Sequence, residues 1–148
     1  MDEETFKRRT KDVALRVVKL TSSLPQTREA DVLARQLLRS GTSIGANYRS
    51  ACRAKSTPDI ISKLGWVEEE ADESLYWLEL LGESNLIPAK RLEPLHREID
   101  EIVAMTVTSI KTLRERSNGD KSRKSVDKPK SKIQNPNSKI TRIQNPKS

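Results

Sequence analysis

The chain has 148 residues, 34% of them apolar and 33% charged, with 28 Lys+Arg against 21 Asp+Glu, one Cys and one His. That length suits one domain rather than two, the single cysteine excludes an intramolecular disulfide, and the lone histidine leaves no His/Cys metal set. No apolar run approaches the ~18 residues of a membrane span, and the charged start MDEETFKRRTKD lacks the apolar stretch of a signal peptide, so a reducing cytoplasm is the expected compartment.

Charge is unevenly distributed. Residues 1–116 hold 19 Lys+Arg and 19 Asp+Glu, whereas residues 117–148 hold 9 and 2, so the formal +7 belongs to the C-terminal segment. A neutral body of residues 1–116 and a basic tail of residues 117–148 are therefore expected as separate units. The tail is rich in Lys, Ser, Asn and Pro and repeats Ile-Gln-Asn-Pro at 133–136 and 143–146, a composition that predicts disorder. A short repetitive DNA sequence at the gene's end is sufficient to account for the repeat.

Helical periodicity begins near Thr5 and runs to Ser22, with Phe6, Val13, Val17 and Leu20 on one stripe and Leu24 just beyond. Pro25 then disfavours helix at the preceding residue. The second segment, about Thr27 to Lys55, contains the stretch RSGTSIGANYRSACRAKS, which resembles a phosphate loop at first sight. It lacks the Lys-Ser/Thr pair of a P-loop and the three spaced glycines of a dinucleotide fingerprint. At ~100° per residue, Leu33, Leu37, Ile44, Tyr48 and Ala51 instead form one apolar stripe that keeps its phase through both glycines.

The same projection gathers Ala34, Gly41, Gly45 and Cys52 into a strip of small side chains beside the core face, suited to close helix approach. Opposite the core lie Arg28, Arg35, Arg39, Arg49 and Arg53. A solvated face, a subunit interface with acidic partners and a nucleic-acid backbone track all fit that line. Ser43 and Asn47 follow Arg39 at steps of four and predict a polar ladder bridging to a neighbouring helix.

The third segment opens at STPD, with Thr57 as the expected N-cap and Pro58 in the first turn. Its apolar stripe is Ile60, Leu64, Val67, Ala71, Leu78 and Leu81, with Ser74 as the one polar member. Opposite it, Trp66, Glu70, Glu73, Trp77 and Leu80 share a face, and seven acids with no base lie between Glu68 and Glu83. Tryptophans on such a face mark an interface. Those five residues are therefore the expected oligomer contact, met by a basic face of the next subunit in a heterologous arrangement.

The fourth segment follows ESNLIP and carries Leu92, Leu95, Ile99, Ile102, Thr106, Ile110 and Leu113. Alternating-sequence strands are absent and the connections are short, so the expected fold is all-α, an antiparallel up-down-up-down four-helix bundle.

Residues 33–81 resemble the four-helix bundle family encoded by intervening sequences in bacterial 23S rRNA genes, whose relatives include accessory proteins of diversity-generating retroelements. The resemblance rests on Arg39-Ser40, Ser43-Ile44 and Asn47, then Ile60-x-x-Lys63-Leu64, Glu70-x-x-Glu73 and the run from Tyr76 to Leu81. It extends over about residues 5–116. It implies a homopentameric barrel without enzymatic activity, a role in binding RNA or DNA, and a reverse transcriptase as partner in the retroelement relatives. Many relatives carry an acid where this chain has Arg49-Ser50-Ala51, so an intersubunit salt bridge at that place is not carried over.

Catalytic chemistry finds little support in the side chains. No His-x-x-x-His or Cys-x-x-Cys occurs, and the Glu-x-x-His partners of a di-iron bundle are missing. No metal or cofactor is expected. The expected function is an oligomeric scaffold binding nucleic acid by charge, and the alternative is a protein-interaction module in which the arginine line is consumed by subunit or partner contacts.

Overall fold

Each of the first three helices begins where a side-chain oxygen meets the free amides of the opening turn. The computed structural model of the chain describes residues 2–126. Asp2 accepts from the Thr5 amide at 3.1 Å and starts α1, Glu3–Ser22; Thr27 accepts from the Ala30 amide and starts α2, Arg28–Cys52. Ser56, rather than the expected Thr57, caps α3, Thr57–Glu83. The shift by one residue moves Pro58 to the second helical position, where its missing N–H still costs no intrahelical bond.

Asn85, at φ 58°, closes α3 in the left-handed conformation that asparagine tolerates, and the amides of Leu86 and Ile87 return to the Leu81 carbonyl. The last helix, α4, Ala89–Val126, passes through Pro94 near its start. It also continues beyond Arg116, where the composition turns basic. Residues 117–126 are thus helical rather than disordered, because extending a formed helix needs no new nucleus and Arg123 and Lys124 complement its C-terminal dipole. The rest of the expected tail, residues 127–148, lies outside the described residues.

The helices pack in sequence order, α1 on α2, α2 on α3 and α3 on α4, with α1 also against α4 more lightly. Val17 of α1 meets Gly41 of α2 and Thr10 meets Gly45, so these two run antiparallel. Arg39 meets Glu70 and Glu73; Gly82 lies by Leu92, and Glu79 by His96, which continues the alternation through α4. The up-down-up-down bundle is therefore the fold.

Its core contains the expected stripes: Phe6, Val13 and Val17 from α1, Leu37, Ile44 and Tyr48 from α2, Leu64, Val67 and Leu78 from α3, and Ile99, Ile102 and Ile110 from α4. Four hydroxyl residues are buried among them. Thr10 and Thr106 return their protons to carbonyls one turn back, and the Ser74 hydroxyl lies 2.9 Å from the Ser40 hydroxyl while also reaching the Glu70 carbonyl. Among the described residues no buried side-chain polar atom lacks a partner, so these hydroxyls carry little desolvation cost.

The glycines of α2 are the close-approach points. A Cβ at Gly41 would stand 2.8 Å from Val17 Cγ2, and one at Gly45 would stand 3.4 Å from the Thr10 carbonyl carbon. Arg9 fastens the other side of α1, with Nε 2.8 Å and Nη2 3.1 Å from the two Glu98 oxygens and Nη2 3.1 Å from Glu101. This half-buried, two-pronged contact is the strong form of an arginine–carboxylate pair.

These contacts set opposite outcomes for two glycine replacements. Gly41→Ala meets the stiff, fully buried Val17 and should lose about 1 kcal/mol or more in urea unfolding, overpacking exceeding the helix-propensity gain. Gly65→Ala adds a Cβ to open space and should gain about 0.5–1 kcal/mol in the same measurement.

Candidate nucleic-acid interface

The close α1–α2 contact creates a groove of about 710 Å³ along one side of the bundle. Small side chains make its floor, Ala14, Gly45 and Ala46, because only small residues let the two helices approach. Its walls are Lys7, Arg8 and Lys11 from the start of α1 and Arg49 and Arg53 from the end of α2, with Glu4 at the rim. Lys7 is engaged by Glu3 at 2.6 Å and Glu4 at 3.4 Å. The hydrogen bond that Lys7 donates to Glu3 raises the Lys7 pKa and lowers that of Glu3.

The other four cations differ from Lys7. Among the described residues, Arg8, Lys11, Arg49 and Arg53 form no ion pair, and all four are exposed. Four exposed cations without an ion-pair partner thus stand on the two walls and make the groove surface positive.

Tyr48 lies beneath the groove, not in it. It is buried and packs edge-to-face on Phe6, with ring centroids 4.3 Å apart, and burial pushes its phenol pKa up. Cys52 is half-buried beside it, and burial raises its thiol pKa as well.

All five arginines of the α2 line are exposed, but the structure divides them among four settings. Arg49 and Arg53 enter the groove. Arg35 is held by Asp31 one turn away at 3.1 Å, and Arg28 borders a shallow depression with Val32, Leu80 and Glu83. Arg39 leaves the line altogether, pairing with Glu70 at 3.4 Å and with Glu73 across the α2–α3 seam. The acidic partners of Arg39 are thus in its own chain.

That pairing also changes the place of the expected oligomer face. Glu70, Glu73, Trp77 and Leu80 are half-buried at the edge that α2 covers, and the Trp77 Nε1–H donates to Glu73 at 3.1 Å. Trp66 is half-exposed, as expected, and Tyr76 is the exposed aromatic neighbour that the sequence reading passed over. Its signal was its position one residue before Trp77, which turns it from the seam toward water.

The polar ladder takes a different form too. Ser43 donates to the Arg39 carbonyl of its own helix, and Asn47 makes no side-chain hydrogen bond among the described residues. The hydroxyl that does cross between helices is Ser40, bonded to Ser74. A hydroxyl one turn from a helical carbonyl satisfies itself locally unless burial brings a better partner.

At the far end of the bundle, α3 and α4 enclose a second cleft with an apolar floor of Leu78 and Leu92 and an acidic rim that includes Glu83, Glu93 and Asp100. His96 and Glu79 meet there at 3.1 Å. Among the described residues no group of His, Cys, Asp and Glu side chains has the arrangement of a metal site, and no helix is long and apolar enough to cross a membrane.

The Arg39 network has a definite pH signature. Burial raises the Glu70 pKa above 4.5, and the Arg39 charge opposes that shift. A carboxyl with a raised folded pKa subtracts stability where it is ionised, and the loss is recovered as pH falls through the raised value. In Arg39→Met the Glu70 carboxyl should titrate higher still, read by carbon-13 NMR of the side chain. An unchanged titration would show that burial alone governs this group.

Residues 3–108 match the sequence profile of a family described as 23S rRNA-intervening sequence protein. Among solved structures, the chain is similar to a protein of unknown function from the S23 ribosomal protein family of Bacteroides thetaiotaomicron VPI-5482. The two are 38% identical and superpose with a TM-score of 0.70, over 75% of this chain and 99% of that one. No curated protein matches.

Proposed function

The chain belongs to the 23S rRNA-intervening sequence protein family, and we propose that it is a non-enzymatic, homo-oligomeric scaffold that holds nucleic acid by its phosphate backbone in the α1–α2 groove. The observation that carries this reading is the set of four unpaired cations, Arg8, Lys11, Arg49 and Arg53, on the two walls of that groove. Guanidinium forks match phosphate oxygens two at a time. Each neutralised phosphate also releases condensed counterions, which makes affinity fall steeply with salt.

The groove offers no exposed aromatic ring, since Phe6 and Tyr48 are buried under it, so stacking on unpaired bases has no platform there. Contacts to phosphate position a nucleic acid without reading its bases, and the binding expected is indifferent to sequence. The basic residues beyond Val126 add further positive charge to the same chain.

The non-enzymatic part of the reading rests on the reactive side chains. Burial moves the Cys52 thiol away from its nucleophilic thiolate form, and His96, the one imidazole, is tied to a carboxylate at an exposed edge.

Assembly is supported by two unlike faces. On α3, exposed Trp66 and Tyr76 lie among Glu69 and Asp72; on the second half of α1, exposed Leu15 and Val18 lie beside Lys19. Because α1 and α3 are not neighbouring helices in the bundle, the two faces point in different directions. An acidic-aromatic face meeting a basic-apolar one repeats head to tail and closes into a ring, a pentamer in this reading.

Two measurements test these statements. Replacing Arg8, Lys11, Arg49 and Arg53 together by Gln should reduce the slope of log affinity against log salt for a short RNA duplex by about 3 to 4. Failure of the full chain to bind RNA or DNA duplexes at low salt would turn the groove over to a protein partner, such as a reverse transcriptase. In analytical ultracentrifugation the chain should sediment as an oligomer, and Trp66→Glu should release monomers; a monomeric parent at micromolar concentration removes the assembly.

A further inference from the structure

The second half of α4 has a charge pattern that the bundle does not use. Leu113 is the last α4 side chain packed against the core, yet the helix continues for thirteen residues, Arg114 to Val126, about 20 Å of helix without core contact. Residues 111–126 contain Lys111, Arg114, Arg116, Lys121, Arg123 and Lys124 against only Glu115 and Asp120. All six cations are exposed, and none forms an ion pair among the described residues.

Helix stabilisation accounts for only part of this. Arg123 and Lys124 lie in the last turn, where a cation complements the helix dipole. The remaining four lie too far from that terminus to do so, since the effect fades within one turn. A helix with neither core contacts nor ion pairs, and with Gly119 within it, is also the least supported part of the described fold.

The antiparallel order decides where these charges stand. Thr10 on Gly45 places the start of α1 beside the end of α2, and Glu68 shares a surface depression with Arg114 and Asn118, placing the first half of α3 beside the end of α4. The groove and the basic half of α4 therefore occupy the same end of the bundle. At the other end stand the C-terminal half of α3, with five acids and no base from Glu70 to Glu83, the mixed first turns of α2 and α4, and the end of α1 with Arg16 and Lys19. The bundle is a charge dipole along its long axis.

We infer that a nucleic-acid duplex engages the bundle at this basic end, with the C-terminal half of α4 as a second set of phosphate contacts beside the α1–α2 groove. The inference rests on the nucleic-acid reading and adds a footprint and a direction to it. Double-helical phosphate suits the site, because no exposed aromatic side chain stands among the groove cations or along residues 111–126 to stack on unpaired bases. Contact with phosphate also supplies the stabilisation that the unsupported half of α4 lacks.

The test compares two triple variants of the full chain on the same helix with equal loss of charge. Arg116→Gln, Lys121→Gln and Arg123→Gln remove cations from the basic end; Lys90→Gln, Arg91→Gln and Arg97→Gln remove as many from the other end. Gln keeps the helix propensity of Lys and Arg. With a labelled RNA duplex as probe, the first triple should lower the salt slope by about 2 to 3 and weaken binding at least about tenfold, while the second leaves the slope unchanged. In the parent chain, duplex binding should also slow amide hydrogen exchange in residues 114–126.

Equal effects of the two triples, or no added protection in residues 114–126, would overturn the footprint and reduce α4 to net charge. If the first triple binds like the parent while the groove variant loses binding, the groove reading stands and this inference fails. If the parent itself does not bind, both fail together.

Discussion

The approach of α1 to α2 over two glycines is the contact on which the candidate site depends. Val17 and Thr10 come so near Gly41 and Gly45 that a methyl group at either position would press on them. Each glycine weakens an isolated helix by roughly 0.5–1 kcal/mol, and the packing of α1 offsets that weakness. The same approach brings Lys7, Arg8 and Lys11 opposite Arg49 and Arg53, so a packing constraint becomes an electrostatic one. Without the small floor the two basic walls would stand apart.

Three of the four interhelical seams are held by different means, and the difference has functional weight. Side-chain exclusion holds α1 on α2. Between α2 and α3 a buried serine pair is flanked by the Arg39–glutamate pairs, and the α1–α4 side relies on the forked contact of Arg9 with Glu98. Partly exposed ion pairs contribute at most about 1 kcal/mol each, so they align helices that apolar burial already holds. Their larger consequence is subtraction: Arg9 and Arg39 are used inside the chain and are lost to any ligand. Most of the cations left over stand at one end, at the start of α1, the end of α2 and the second half of α4.

That segregation joins the two parts of the proposal. Counter-charges within the bundle lie mainly on the second half of α3 and the first half of α4, and they neutralise the arginines that reach them. At the opposite end Glu3 and Glu4 pair with Lys7, while Arg8, Lys11, Arg49, Arg53 and the cations of the second half of α4 have no ion-pair partner among the described residues. A neutral body can thus present a strongly positive surface, because sequence balance and spatial balance are different quantities.

Much of this was legible in the residues taken one after another. Apolar side chains recurring every three or four positions define four helices, and the phase kept through Gly41 and Gly45 shows α2 to be continuous, since 3.6 residues per turn is a local property of the backbone. Cap identity was legible only to within one residue, because Ser56 and Thr57 offer the same hydroxyl. Local rules did not reveal the partners of Arg39, the exposure of Tyr76 against the partial burial of Trp77, or the crossing of Ser40 to Ser74. Those depend on which helix lies against which edge of α3, a choice made by packing between segments more than thirty residues apart. The sequence alone determined the helices, their order and the arginine line; the tertiary structure decided which arginines are neutralised and which remain free, because charge pairing depends on distance in space, and distance along a helix fixes only the first turn of it.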